Sequence, residues 1–224
     1  MACVFDIETG GSREMGLRLM PPFDENDVKV GNLVDPDKIR AKVNSARGFH
    51  EKNWMDSCAL RPETGHVLAI GIRMTRTKED LILHLNESGS EAEMLRTFWD
   101  YLTSTQESSG QHFIGFAIFH FDLPFLILRS RILDVKVPIS LRIGRFFNGT
   151  KFVDLQDEWV MNRLRTDTKC SLDYVAKAFG LGGKAGVGSE FQKLYHSDME
   201  QALEYLRQDL FLTEGIARKL GFIL

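Results

Sequence analysis

The sequence predicts an α/β fold, a mixed central sheet with helices on both faces. Three observations carry this reading. Short runs rich in β-branched and aromatic residues at 2–8, 66–74 and 81–85 read as three antiparallel strands. From residue 91 onward, helical and extended patterns alternate. The chain closes on its longest regular amphipathic stretch, 199–220.

Taken in order, Ala2 to Glu8 reads as a buried first strand. Residues 10–65 break the pattern with Gly10-Gly11, Pro21-Pro22 and mixed charge, and are expected to be a long insertion within a single domain spanning 1–224. One helix is expected there, about Asp35 to Ala46, with Asp35 as N-cap and Pro36 at the first helical position. Arg61 to Gly65 reads as a turn, and His66 to Met74 with Leu81 to Leu85 as a hairpin pair. A helix follows at about Glu91 to Leu102, a buried strand at His112 to Ala117 and a helix at about Leu123 to Leu133, where an early Pro124 is tolerated. A strand at Phe152 to Leu155 and helices at about Ser171 to Phe179 and Met199 to Leu220 complete the order.

Composition is that of a packed domain, 43% hydrophobic and 26% charged over 224 residues. Net charge is −3, which argues against binding nucleic acid through a basic tail. The charge is uneven: residues 1–123 carry −6, 124–195 carry +5 and 196–224 carry −2. A basic middle beside acidic flanks suits a phosphate chain held near carboxylates, although on charge alone ordinary solvated surface is the favoured reading. The longest apolar stretch, Phe113 to Phe119, is too short to span a bilayer, so no membrane partner is expected. Three widely spaced cysteines, Cys3, Cys58 and Cys170, read as reduced thiols, and a cytoplasmic location is expected.

Asp6 and Glu8 stand two apart in an apolar strand and so share a face, where two carboxylates are costly unless a cation neutralises them. Hard oxygen donors of this kind suit Mg²⁺ or Mn²⁺. Asp122 opens the helix after the fourth strand and, taken alone, reads as an N-cap. Tyr205 and Asp209 are four apart on the last helix and share a face.

In this order, and with the flanking runs Phe5-Asp6-Ile7-Glu8-Thr9, Phe121-Asp122-Leu123-Pro124-Phe125-Leu126 and Tyr205-Leu206-Arg207-Gln208-Asp209, the chain resembles the DEDD superfamily of 3′–5′ exonucleases. With Tyr205 four before the last aspartate, it resembles the tyrosine branch. It is most similar to stand-alone bacterial and phage enzymes that resemble the proofreading domain of family B DNA polymerases. The resemblance covers nearly the whole chain and implies a ribonuclease H-like fold. It implies that Asp6, Glu8, Asp122 and Asp209 bind two divalent metal ions, and that Tyr205 hydrogen-bonds the attacking water. Nucleoside 5′-monophosphates would be released from the 3′ end of a nucleic acid, with single-stranded DNA expected and RNA the alternative.

By the same resemblance Lys184, in the glycine-rich run 180–186, contacts the scissile phosphate, although those glycines also suit a helix end. Thr9, Phe116 and Phe121 are candidates to line the terminal-nucleotide pocket, with core packing the alternative for both phenylalanines. Arg129, Arg131, Arg142, Arg145, Arg163 and Arg165 are candidate contacts to the nucleic-acid backbone, and His120 is expected to be structural. One departure stands out: Ala117 replaces an asparagine that in the family helps hold the 3′-terminal nucleotide, which implies weaker binding with chemistry retained. A binding relative with little turnover and another ribonuclease H-like nuclease are the competing readings. Protein partners are not legible in the sequence.

Overall fold

The computed structural model describes residues 2–109, 112–138, 152–161, 168–184, 186 and 188–224. They cluster as two compact units, Met1–Thr9 with Val67–Leu224, and Gly10–His66.

The first unit is built on a five-stranded sheet ordered β3-β2-β1-β4-β5. The strands are β1 (Ala2–Gly11), β2 (Gly65–Met74), β3 (Asp80–His84), β4 (His112–Gly115) and β5 (Phe152–Asp154). The sheet is mixed: β2 and β3 are antiparallel with Gly71 opposite Ile82, whereas β1 runs parallel to β4 with Val4 opposite Ile114. β4 in turn runs parallel to β5, with Gly115 opposite Asp154. β1 therefore belongs to a parallel core as well as to the expected N-terminal strands, a pairing that hydropathy alone does not reveal.

Strand alternation divides the core between two faces. Cys3, Phe5 and Ile7 enter one apolar cluster with Leu95, Phe98 and Trp99 of α4 (Glu91–Ser109) and Leu123 and Leu126 of α5 (Asp122–Ile132). Ala2 and Val4 enter another with Val175 of α7 (Leu172–Ala178) and Leu210 and Ile216 of α9 (Met199–Lys219). Helices thus cover both faces, as expected. Three further short helices, α3 (Leu85–Ser88), α6 (Leu155–Val160) and α8 (Phe191–Ser197), of four, six and seven residues, are not among those the periodicity predicts.

Glu214 ties α9 to β2. Its side chain, 4% exposed, accepts from Arg73 Nε at 2.6 Å and Arg218 Nη2 at 2.8 Å, and also pairs with Lys78. Burial alone would raise its pKa, but the three cations outweigh burial and hold it at about 2. A depressed carboxyl pKa contributes stability that is full above the ordinary value near 4.5 and lost as pH falls toward 2. Glu214→Gln strands these cations, two of them partly solvated, and is expected to cost about 2–3 kcal/mol. The same variant should flatten the acid limb of thermal stability, as calorimetry at pH 3 and pH 7 would show.

The second unit holds α1 (Arg13–Leu19) and α2 (Pro36–Ser57). Ser12 Oγ caps α1 by accepting from Met15 N, and Asp35 caps α2 by accepting from Asp37 N. The Asp35 cap and Pro36 are as expected, but α2 runs eleven residues beyond Ala46, through Ser57. Trp54 near its end donates its indole N–H to Gly16 O at 2.7 Å, and a Cβ on Gly16 would meet Cys58 Sγ at 2.9 Å. This close packing favours the extra turns over the weak local pattern. No helix among the described residues is long and apolar enough to cross a membrane.

Candidate active site

β1 carries Asp6 and Glu8 on the face that Ala2 and Val4 begin, so the strand's apolar half packs against α7 and α9 while its acidic half is presented beside them. On α9, Tyr205 and Asp209 lie one turn apart on the buried side of the helix. The result is convergence. Carboxylate oxygens of Asp6, Glu8 and Asp209 all lie within 4.8 Å of one another, in a cleft of about 320 Å³ that Asp122, Lys184 and Tyr205 also line.

Asp122 arrives by a different route. β4 ends at Gly115, two residues sooner than expected, because Ala117 adopts φ +63°. This left-handed conformation costs an alanine about 1–2 kcal/mol, and asparagine tolerates it better. The asparagine that the resemblance implies at this position would therefore have a backbone reason as well as a ligand contact. A tight turn follows, in which His120 N and Phe121 N both donate to Ala117 O at 3.0 Å. Phe121 is the N-cap of α5, and Asp122 its first residue. Asp122 Oδ1 accepts from Ile7 N at 3.1 Å, between Asp6 and Glu8. The N-cap reading of Asp122 is thus replaced by a tie to β1.

Gly115 is required here by close approach: a Cβ on it would meet Ile118 Cγ2 at 2.2 Å and Phe5 O at 2.9 Å.

Lys184 follows α7 on the glycine-rich segment, which Asp173 fastens by accepting Lys184 N at 2.9 Å. Its ammonium lies 2.5 Å from Asp209 Oδ2 and 5.1 Å from the centre of the Tyr205 ring. Among the described residues lining the cleft it is the single cation.

The electrostatics follow from this crowding. Burial first, and then the charge of Asp209, pushes Asp6 up to about 7. Burial, with Asp6 and Asp209, raises Glu8 well above the ordinary carboxylate range. Burial and the neighbouring Asp6 do the same to Asp122. Burial outweighs Lys184 in raising Asp209. Burial would lower Lys184, but the Asp209 carboxylate raises it on balance. Tyr205 is pushed up to about 12, chiefly by burial. Asp209 Oδ1 and Tyr205 Oη are buried and make no hydrogen bond of standard geometry among the described residues. Clustered hard oxygens, one of them buried without a partner and faced by a single ammonium, fit a divalent cation of the Mg²⁺ or Mn²⁺ class.

Of the other sequence candidates, Phe116, Ala117 and Phe121 line the same cleft, whereas Thr9 is buried and does not. Phe116 also packs in the apolar cluster under α7 and α9, so both readings of it hold. Arg129 is not a backbone contact: it is buried on α5 and pairs with Glu91 of α4 at 2.6 Å. Its place on the apolar inner side of α5 decides this, since a charge there needs a fixed partner. Arg131 is exposed, and Arg142, Arg145, Arg163 and Arg165 lie outside the described residues. His120 is exposed, 3.4 Å from Asp157 of α6. Sequence reasoning missed Gln156 and Ser171, which line the cleft, and the buried Asp154, which accepts the N–H groups of Ala117 and Phe119. Ser171 was legible as the N-cap of α7, and its hydroxyl accepts Tyr174 N at 3.2 Å.

A search of curated proteins finds no match to this chain. Among solved structures, it is similar to the family B DNA polymerase of the hyperthermophilic archaeon Pyrobaculum calidifontis, with a TM-score of 0.58 at 18% identity over 98% of this chain. That similarity is one of fold, the ribonuclease H-like fold of such an exonuclease domain, and the chain spans 24% of the polymerase's length. The family model described as "Predicted 3'-5' exonuclease related to the exonuclease domain of PolB" matches residues 60–213, a stretch that holds Asp122, Lys184, Tyr205 and Asp209. The chain belongs to that family of predicted 3′–5′ exonucleases.

Proposed function

We propose that this chain is a metal-dependent 3′–5′ exonuclease that removes nucleoside 5′-monophosphates one at a time from single-stranded DNA. The observation that carries the reading is the meeting of Asp6, Glu8 and Asp209 within 4.8 Å, in a cleft that Asp122 and Lys184 share.

Asp6, Glu8 and Asp209 would hold one divalent ion, and Asp6 with Asp122 a second. Two such ions, when bound, lower the pKa of an attacking water and stabilise the oxyanion that leaves. The chain's own groups do the rest. With a pKa near 12 the Tyr205 phenol stays protonated at neutral pH, so it orients the water through its hydroxyl and does not serve as the base. Lys184 supplies fixed positive charge to the phosphate oxygens. Phe116 and Phe121 offer apolar walls to the terminal nucleotide. In the hydrolysis, water oxygen bonds to phosphorus, the P–O3′ bond breaks and a proton passes to the departing 3′ oxygen.

The test uses a 5′-labelled single-stranded DNA with Mg²⁺ or Mn²⁺, resolved on a sequencing gel. The expected result is a ladder shortening from the 3′ end, dependent on metal and abolished by Asp6→Ala. Cleavage of an RNA strand alone, or of circular single strands, would replace the substrate or the mode of attack. Tight binding of the strand with no ladder under any metal would overturn the enzyme reading.

A further inference from the structure

We propose that Asp154 is a positioning residue of this site, holding the turn 116–121 in its left-handed start and thereby setting the place of Asp122. The proposal deepens the exonuclease reading and rests on it.

Asp154 ends β5 and is 2% exposed, directly opposite Gly115 in the parallel β4–β5 pairing. Both of its carboxylate oxygens accept backbone donors. Oδ1 accepts from Ala117 N and Gln156 N, each at 2.9 Å, and Oδ2 accepts from Phe119 N at 2.9 Å. Two of these three donors belong to the turn between β4 and α5. The Gln156 bond caps α6 at the same time, so one side chain fastens the turn to the helix beside it.

The turn needs an outside hold. Ala117 opens it at φ +63°, a conformation that the alanine does not favour by itself. Inside the turn, His120 N and Phe121 N depend on Ala117 O, and Leu123 N depends on Ile118 O at 3.0 Å. If Ala117 relaxes, each of these partners shifts, and with them Asp122, whose carboxylate reaches Ile7 N between Asp6 and Glu8. The path from Asp154 to the acidic cluster therefore runs by hydrogen bonds into the turn, along the chain to Asp122, and by the Ile7 N–H to β1. Asp154 also lies with His120 and Asp157 as a set of potential metal donors. Both Asp154 oxygens already accept backbone N–H groups, which favours the clamp over an ion site there.

Asp154→Asn in the full chain keeps the shape and one carbonyl oxygen, but turns an NH₂ toward Phe119 N–H. At 15 °C, with the native circular-dichroism spectrum, kcat on the labelled strand is expected to fall by about 10- to 100-fold, with KM changed less than about threefold. Mn²⁺ binding, read without substrate by electron paramagnetic resonance, is expected to weaken by about tenfold. Ala117→Gly removes the cost of the left-handed turn, and added to Asp154→Asn it is expected to restore most of both losses. A folded Asp154→Asn with wild-type kcat and wild-type Mn²⁺ affinity overturns the proposal and leaves Asp154 a stabilising residue only.

The Mn²⁺ arm is independent of turnover. A wild-type protein that binds Mn²⁺ but cleaves nothing sinks the exonuclease reading, and the variant's Mn²⁺ affinity still decides the clamp. Should Asp154→Asn fail to fold, amide exchange in the wild-type protein decides it. The Ala117 and Phe119 amides are expected to exchange as slowly as Ile114 in β4, and exchange at exposed-loop rates overturns the clamp.

Discussion

Glu8→Gln is expected to cut turnover by roughly 10³-fold while making the protein more heat-stable in chelator. The two effects have one cause. Glu8 is buried beside Asp6 and Asp209, and each of those charges raises its pKa further. A glutamine keeps the shape and removes one negative charge from the cluster. If Glu8 is a metal ligand as proposed, its loss removes about 4 kcal/mol of transition-state stabilisation. Relief of repulsion among the carboxylates returns about 1–2 kcal/mol to the metal-free fold, or several degrees in Tm. With Mn²⁺ added the order reverses: the wild type gains stability through ligand binding, and the variant gains less. Calorimetry with and without Mn²⁺, beside the gel assay, reads both effects. Unchanged stability in chelator would mean the carboxylates do not oppose one another, and retained turnover would remove Glu8 from the ligand set.

pH gives the same burial and repulsion a second signature. Asp6 sits near 7 in the folded chain against an ordinary value of 3.8, so the folded state binds more protons over that interval. Stability in chelator is then greatest at the acid end of the interval and falls as pH rises from about 4 toward 7. This is opposite in sign to Glu214, whose contribution is lost below about 4.5. Saturating Mn²⁺ replaces bound protons in the cluster and should flatten only the first of these slopes.

Much of the architecture is legible because it follows local periods. Alternation in β1 separates Cys3, Phe5 and Ile7 from Ala2 and Val4, and the same alternation aligns Asp6 with Glu8. The 3.6-residue period on α9 puts Tyr205 and Asp209 on one face, and nothing beyond spacing is needed to see it. What the sequence hides depends on partners distant in the chain. Ala117 looks like the end of a strand, yet its backbone turns left-handed where Asp154, 37 residues later, receives its N–H. Asp154 carries no signal of this role, since only the parallel pairing of β4 with β5 brings it under the turn. Arg129 reads as a surface cation until Glu91, across α4, claims it. The extension of α2 to Ser57 likewise rests on Trp54 reaching Gly16, a contact 38 residues apart that no local pattern predicts.

Lys184→Met is expected to lower kcat by about 10²-fold and, unlike Glu8→Gln, to destabilise the metal-free protein. Lys184 is the ammonium 2.5 Å from Asp209 Oδ2, and its charge also lowers the pKa of Asp6 and Glu8. Without it three carboxylates face one another, and Asp209, whose Oδ1 makes no hydrogen bond of standard geometry among the described residues, loses its partner at Oδ2. Leaving a buried charge uncompensated in this way costs about 3 kcal/mol, the low end of the usual range because the lysine is partly exposed. The lysine's pKa is raised by folding, so on the lysine's side this contribution is full below its ordinary value of 10.5 and is lost as pH rises above it, and on the acid side it needs Asp209 ionised. Mn²⁺ supplies positive charge to the same carboxylates, so the variant's Tm should recover in Mn²⁺ while its kcat does not. That separation is the informative result, because it divides the lysine's balancing of the carboxylates from the phosphate contact proposed for it. Recovery of both by Mn²⁺ would leave Lys184 only the first of these tasks. A variant as stable as the wild type in chelator would show that Asp209 does not depend on it.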